Sequence, residues 1–452
     1  MEKISAKLTL KQLKRYRKLF NAEASNRAYQ ASIVNVGIDD VALNPEAVKR
    51  HSFVFEHECK QGGPTSQNQS GRCWYYAALN SLRQIVMEKL NVESIELSQT
   101  YLYFFDKMEK ANIYLENMIA MIDKPLTDRR VQTLIDSGSE DGGLWQFFTV
   151  LCLKYGIVPQ ECMPETFHSK KSYMFTKQLD VRLRQCLMEM RHTHAKGADI
   201  DALRQLKDQC LASCYLIASK ALGELPEKFR YAYRDKDKKY VQLEEMTPLE
   251  FFEKYIGKEA LEERVVIVSD PREIHPYYQP LSFPDVRNVY NGPTGGGLNV
   301  PIEDLSDAVL KSVKDGTPVW FACDVGKLID RKRGLLDLEL YNYDLVLDPL
   351  RDFSKADQFD SGYSSPTHAM SICGVECDSM GEPVNWKVEN SWSEEMGKKG
   401  TFSMSHEWFL AYTYEAIVAR KYLSEAALDG LKKKAIELDP WDPFAIALSS
   451  LK

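Results

Sequence analysis

The sequence predicts an α+β fold from three observations. An apolar helix pattern begins abruptly at Cys73, after the polar, glycine-containing stretch Gln67 to Arg72. Helical patterns then dominate to about Tyr290. From Pro318 onward the pattern turns to strands. Helices gathered first and strands later describe a helical lobe and a β lobe in one chain.

Composition limits what such a chain can do. Its 452 residues could hold two or three ordinary domains, and 44% hydrophobic with 27% charged residues is the make-up of a soluble globular protein. A net charge of −7 argues against general affinity for nucleic acid. The ten cysteines show no framework spacing, which points to reduced thiols and a cytoplasmic setting. No signal-peptide core is expected near the N-terminus, and no membrane span is expected, since no apolar run approaches about 18 residues.

Taken in order, Leu10, Leu13, Tyr16, Leu19 and Phe20 recur at helical spacing and mark an amphipathic first helix. Lys11, Lys14, Arg15, Arg17 and Lys18 fall mostly on its other face, which reads as a solvated surface. Residues 21–64 are polar and mixed, an arm leading into the helix that starts at Cys73 and runs to about Leu90. A second, aromatic-rich helix pattern covers Ser98 to Glu116, and an apolar one covers Leu144 to Tyr155. Between them Ser137 to Gly143 is a loop, where Gly142 and Gly143 would let another backbone approach closely. A helical region is expected from about Glu165 to Tyr290. Its best helix is Asp199 to Leu222, ended by Gly223 and Pro226. Cys210 and Cys214 there read as helical core rather than zinc ligands, because the C-x-x-C spacing is missing. No metal and no cofactor is expected. Asn291 to Gly297 reads as a connection, and strands are expected at Pro318 to Cys323, around His368, before Asn390 and at Thr401 to Met404.

The chemistry gathers at four residues. Cys73 stands at a helix start, where unpaired backbone N–H groups and the positive end of the helix dipole favour thiolate. The residues after it are apolar nearly all round, so the helix should be a buried, rigid mount. Six residues earlier, the Gln67 amide can donate above the sulfur, and the Cys73 N–H can supply a second donor for an oxyanion. A small buried hydrophobe is the competing reading of Cys73. His368 and Asn390 stand near strand ends; an asparagine oxygen that accepts from one imidazole nitrogen turns the other toward a thiol.

Set beside Asp141-Gly142-Gly143-x-Trp145, Asn299-Val300-Pro301-Ile302, Thr367-His368-Ala369-Met370, Val388-Glu389-Asn390-Ser391-Trp392 and Trp441-Asp442-Pro443, these residues resemble the bleomycin hydrolase and bacterial aminopeptidase C branch of the papain-like cysteine peptidases. The resemblance runs from about Phe20 to Trp441 and implies a two-lobed papain-like core. It divides the chain into a wrapping arm (1–66), a helical catalytic lobe (67–164), a helical insertion (165–290), a β-rich lobe (291–420) and a C-terminal arm reaching the cleft (421–452). Papain-like enzymes carry their His and Asn about 130–150 residues after the Cys. Here His368 lies 295 and Asn390 lies 317 residues after Cys73, and the insertion accounts for the difference. The resemblance implies Cys73 as nucleophile, His368 as base, Asn390 as its orienter and Gln67 as oxyanion donor. It further implies that Gly142 and Gly143 pair with substrate, that Trp392 shields the His–Asn bond and also contacts substrate, and that peptides are trimmed from their N-termini by a homohexamer. An endopeptidase or oligopeptidase of the same branch is the alternative, and a non-catalytic scaffold or nucleic-acid-binding relative the remote one. Ser393 departs from the family's glycine after the tryptophan. The tail after Trp441-Asp442-Pro443 is about three or four residues longer than the family's, which bears on whether the cleft is blocked, open or trimmed.

Cys73→Ala is expected to abolish peptide hydrolysis and leave folding intact, because the core is supplied by the residues that follow it. Turnover equal to wild type, read beside an unchanged circular dichroism spectrum, would overturn the assignment.

Overall fold

A computed structural model of the chain describes residues 6–444. Two N-terminal helices, α1 (Leu10–Ala22) and α2 (Ala24–Val36), bury none of their residues. The capping box of Thr9 and Gln12 starts α1 as its sequence suggests, but its apolar stripe is uncovered: Leu10 is 78% and Leu19 64% exposed. The helix that begins at the nucleophile candidate is α3 (Cys73–Leu90). It is buried through Cys73 to Arg83 without interruption, as an all-round apolar pattern requires. Around it pack α4 (Gln99–Ala120), capped by Ser98, and α5 (Trp145–Tyr155). Outside these, α6 (Tyr173–His194) and α7 (Ile200–Leu222) form a hairpin; Asp199 caps α7 and Gly223, at φ 92°, ends it.

The region expected to be helical to Tyr290 is helical only in its first part. Arg264–Val268 is strand β1 and Gln279–Phe283 is strand β2. The β-branched run Val265-Val266-Ile267-Val268 explains the first. The glycine run read as a plain connection is also a strand, β3 (Gly295–Asn299), parallel to β1 and antiparallel to β2. Glycine is needed there because a Cβ on Gly296, at φ 136°, would lie 2.2 Å from the Leu281 carbonyl oxygen.

Helix α8 (Ile302–Lys314) leads to β4 (Val319–Cys323), β5 (His368–Cys377), β6 (Pro383–Glu389), β7 (Thr401–Ser405) and β8 (Thr413–Ala419). The eight strands lie in one sheet in the order β2-β3-β1-β8-β4-β5-β6-β7. Alternation along β4 sorts its side chains between two cores. Trp320 and Ala322 join the core around α3, whereas Val319, Phe321 and Cys323 face the core under α8. Both faces of the strand are therefore buried, and its sequence is a continuous apolar run.

Bonds from α3 help sew the helical lobe to the sheet. The Trp320 indole N–H donates to the Trp74 carbonyl at 3.2 Å. Arg83, on α3, forms a buried ion pair with Glu389 at the end of β6 and donates to the Gly63 carbonyl at 2.8 Å. Burial raises the Glu389 carboxyl, and Arg83 opposes that rise.

Arg83→Met is expected to destabilise the fold by about 3–5 kcal/mol, because it leaves Glu389 buried without its partner; adding Glu389→Met should recover much of that loss. Denaturant titration of the two variants checks it. A single variant no less stable than the double would show that the pair does not join the lobes.

Candidate active site

Each site residue is placed by the end of an element. Arg72 is the N-cap of α3 and is itself pinned. Its buried guanidinium makes a two-pronged bond to Glu165 at 2.8 and 2.9 Å and lies over the rings of Tyr76 and Tyr103. Cys73 follows at the first helical position. The backbone N–H groups of Cys73, Trp74 and Ala369 point at its sulfur. Ala369 adjoins His368, so the sulfur sits beside the start of β5.

Strand register supplies the rest. β5 and β6 are antiparallel with Ser371 opposite Glu389. Past the strand end Asn390 comes within reach of His368, and Trp392 bridges Ser66 on the approach to α3. The imidazole Nε2 donates to Asn390 Oδ1 at 2.9 Å, and the Ser391 N–H donates to the same oxygen at 2.7 Å. Two donors on one atom fix which way the amide points. Nδ1 is thereby the nitrogen left to face the thiol side. The Trp392 ring lies 4.9 Å from the imidazole, centroid to centroid, tilted by 32°.

Gln67 reaches the same place from the other lobe. Its backbone N–H donates to the Ser391 carbonyl at 2.8 Å, and the Ser393 N–H donates to the Thr65 carbonyl at 3.0 Å. Ser391 Oγ donates to Gln67 Oε1 at 2.7 Å, and Gln67 Nε2 donates to the Ser70 carbonyl at 2.7 Å. One amide hydrogen is committed and the second remains. Ser391 is a functional candidate that sequence reasoning quoted without a role; its bond spans the chain, and only its place beside Asn390 marked it. Ser393, where the resemblance led to glycine being expected, holds φ 71°, the left-handed region that favours glycine. Its hydroxyl accepts from the Glu395 N–H at 3.3 Å.

Gly142 and Gly143 lie in a loop held by the Asp141 carboxylate. That carboxylate accepts from the Gly71 N–H at 3.1 Å and from Tyr103 at 2.7 Å, takes the Ser172 hydroxyl, and pairs with Lys107 at 2.7 Å. Burial alone would raise the Asp141 carboxyl; Lys107 and the hydroxyls of Ser172 and Tyr103 outweigh it and hold it well below the usual carboxylate range. The Asp141 carbonyl accepts from the Trp74 indole at 2.9 Å. A Cβ on Gly143 would come within 2.5 Å of the Trp74 ring, and the Gly142 carbonyl already accepts from Lys110. Both glycines thus have packing reasons in addition to any toward substrate.

The electrostatics correct one expectation. The helix-start N–H groups do lower the Cys73 pKa, but complete burial acts first and more strongly, pushing the thiol up to about 11. Burial likewise lowers His368 to about 4, against the opposing bond from Asn390. The closed site therefore favours neutral thiol and neutral imidazole over a standing thiolate. Among the described residues no group of three or more His, Cys, Asp or Glu side chains could hold a metal ion.

A sulfur at a buried helix start, an imidazole oriented by an asparagine oxygen and an amide donor bonded across the lobes form a constellation suited to acyl transfer. Comparison with known proteins agrees with it. The Peptidase C1-like family matches residues 7–445. The chain belongs to that family. It is a cysteine-type peptidase. It is 38% identical to aminopeptidase W of Lactobacillus delbrueckii subsp. lactis, over 94% of this chain and 96% of that one. It is 35% identical to aminopeptidase C of Listeria monocytogenes (98% and 99%) and 36% identical to human bleomycin hydrolase (90% and 91%). The crystal structure of pepw from Lactobacillus rhamnosis superposes with a TM-score of 0.95 at 36% identity, covering 98% of this chain and 99% of that one. The α+β, papain-like architecture expected from the sequence is the one found.

The pH profile of kcat/KM should report these two groups as a coupled pair. An imidazole that is to accept a thiol proton must be neutral. Because its pKa is lowered to about 4, activity should fall only as pH drops toward that value, well below the 6.5 of an ordinary histidine. The alkaline limb should lie near 11, where the thiol ionises without the imidazole and the leaving group loses its proton source. An acid limb at 6 or above in the peptide assay would show that the imidazole is not buried in the working enzyme.

Proposed function

We propose that this peptidase is a cysteine aminopeptidase that removes N-terminal residues from short peptides. The observation that carries the reading is the 2.9 Å bond from His368 Nε2 to Asn390 Oδ1, covered by Trp392, which leaves Nδ1 as the proton acceptor beside the sulfur. In the proposed reaction His368 takes the Cys73 proton as the sulfur attacks the scissile carbonyl carbon. Asn390 holds the imidazolium, and its burial under Trp392 strengthens that bond. The Cys73 N–H and the uncommitted Gln67 N–H stabilise the oxyanion. His368 then protonates the leaving amine, and water releases the acyl group from Cys73. Gly142 and Gly143 would lie along the acyl side of the substrate.

The aminopeptidase mode draws on the relatives, which are named aminopeptidases C, W and G, and on the C-terminal arm. Trp441 lies under Arg129, and Asp442 accepts from Arg272 at 2.8 Å within a buried cluster with Asp270 and His275. Phe444 is fully buried between Phe283 and Phe359. The longer tail begins after this anchor and lies outside the described residues. A cytoplasmic setting is supported by ten cysteines that are all free thiols. No described helix is long and apolar enough to cross a membrane. Self-association, as the homohexamer implied by the resemblance, would cover the exposed apolar stripe of α1.

Matched peptides with free and acetylated N-termini test the mode, read beside the intact mass of the protein. Release of single residues from free peptides alone is expected. Rapid internal cleavage of acetylated peptides by protein of full mass would make it an endopeptidase.

A further inference from the structure

Arg331 stands in the turn that follows the short strand Ile329–Asp330 and was not singled out by any sequence motif. Its guanidinium lies over the Trp392 ring, 4.9 Å from the centroid. Trp392 is the ring that lies 4.9 Å from the His368 imidazole, and Arg331 is the charged group whose field reaches that imidazole. The turn is a firm mount. Arg331 accepts at its carbonyl from the Gly397 N–H at 3.3 Å, and the Asp330 carboxylate accepts from the Arg333 backbone N–H at 2.9 Å. A Cβ on Gly334 would lie 2.6 Å from the Gly397 Cα, so the two loops are in close contact. Asp330 is paired with Arg333 rather than with Arg331. Among the described residues no carboxylate lies within ion-pair distance of Arg331. The side chain is exposed, a cation without an anion on the rim of the site.

Which rim follows from the chemistry. His368 protonates the leaving amine, so the residue beyond the scissile bond departs past the imidazole. The surface that continues from the imidazole is Trp392, and Arg331 covers it. We propose that Arg331 and Trp392 form a carboxylate-binding subsite on the leaving-group side of the cleft, which selects peptides whose first leaving residue carries a negative charge. The proposal rests on the aminopeptidase reading above. The charge can be the free α-carboxylate of a dipeptide or the side chain of Asp or Glu. A guanidinium binds either through two parallel N–H donors, and it is held over an aromatic face in the geometry that leaves those donors free at its edge.

The test compares full-length wild type, Arg331→Gln and Arg331→Lys on four substrates: Leu-Ala, Leu-Ala-amide, Leu-Glu-amide and leucine p-nitroanilide. Leu-Ala against its amide reads the α-carboxylate, and Leu-Glu-amide against Leu-Ala-amide reads the side chain. The expected result is a rise of about tenfold in KM for the charged substrates in Arg331→Gln, with kcat nearly unchanged and partial recovery in Arg331→Lys. The anilide, which has no leaving residue, should be cut equally by all three. An equal loss on every substrate, or none on any, overturns the subsite; the first result would assign Arg331 to the field at His368 alone. If wild type cuts none of the four but cuts acetylated peptides, the aminopeptidase reading falls. The same comparison on acetylated peptides ending one residue beyond the cut then decides Arg331 separately.

Discussion

Burial of one helix on all sides governs this molecule. The first eleven residues of Cys73–Leu90 are shielded from water, so the helix must lie between two layers, with helices on one side and the sheet on the other. Polar groups caught in that position need partners, and all but the Arg83 Nε have one. Arg83 finds Glu389, Asn80 donates to Thr65 at 3.0 Å, and the Trp74 carbonyl takes the Trp320 indole. Each of these partners belongs to a segment that also carries a site residue or adjoins one. The packing that hides the helix is therefore the packing that brings His368, Asn390 and Gln67 to its tip.

The same burial sets the character of the chemistry. A sulfur at a helix start enjoys three N–H groups, yet lies where water cannot reach it, and desolvation outweighs the dipole. The imidazole feels the same loss of solvent. At rest both groups are therefore neutral, and in the proposed reaction charge develops only as the sulfur attacks, with Asn390 and the N–H groups arranged to receive it. Arg331, on the exposed side of Trp392, is placed to meet charge that arrives with the substrate.

Anchoring recurs at the edges. Asp141 gathers Lys107, Tyr103, Ser172 and the Gly71 N–H, so the loop with Gly142 and Gly143 is tied to the α3 approach and to the start of α6. Asp270, Arg272 and His275 hold Asp442 in the same way before the tail. Ser393 accepts a left-handed backbone where glycine would be unstrained, and its hydroxyl bond to Glu395 offsets part of that cost.

What was legible in the sequence was local. The helix bounds at Cys73 and Leu90, the helix starts at Ser98 and Asp199, and the strand at His368 follow from periodicity and local residue type. Cys73, His368, Asn390 and Gln67 could be nominated from the sequence because their neighbours form motifs. The glycine strand was not, since its glycines answer to Leu281 and to Val266 and Val268, which are near only after folding. Nor were the exposed stripe of α1, the Ser391 bond to Gln67 or the position of Arg331, each of which depends on what lies across space. Nor was the protonation of the site: the helix start argues for thiolate from the sequence, and only the tertiary structure decides against it, because desolvation is a property of everything packed around the sulfur and not of the residues beside it in the chain.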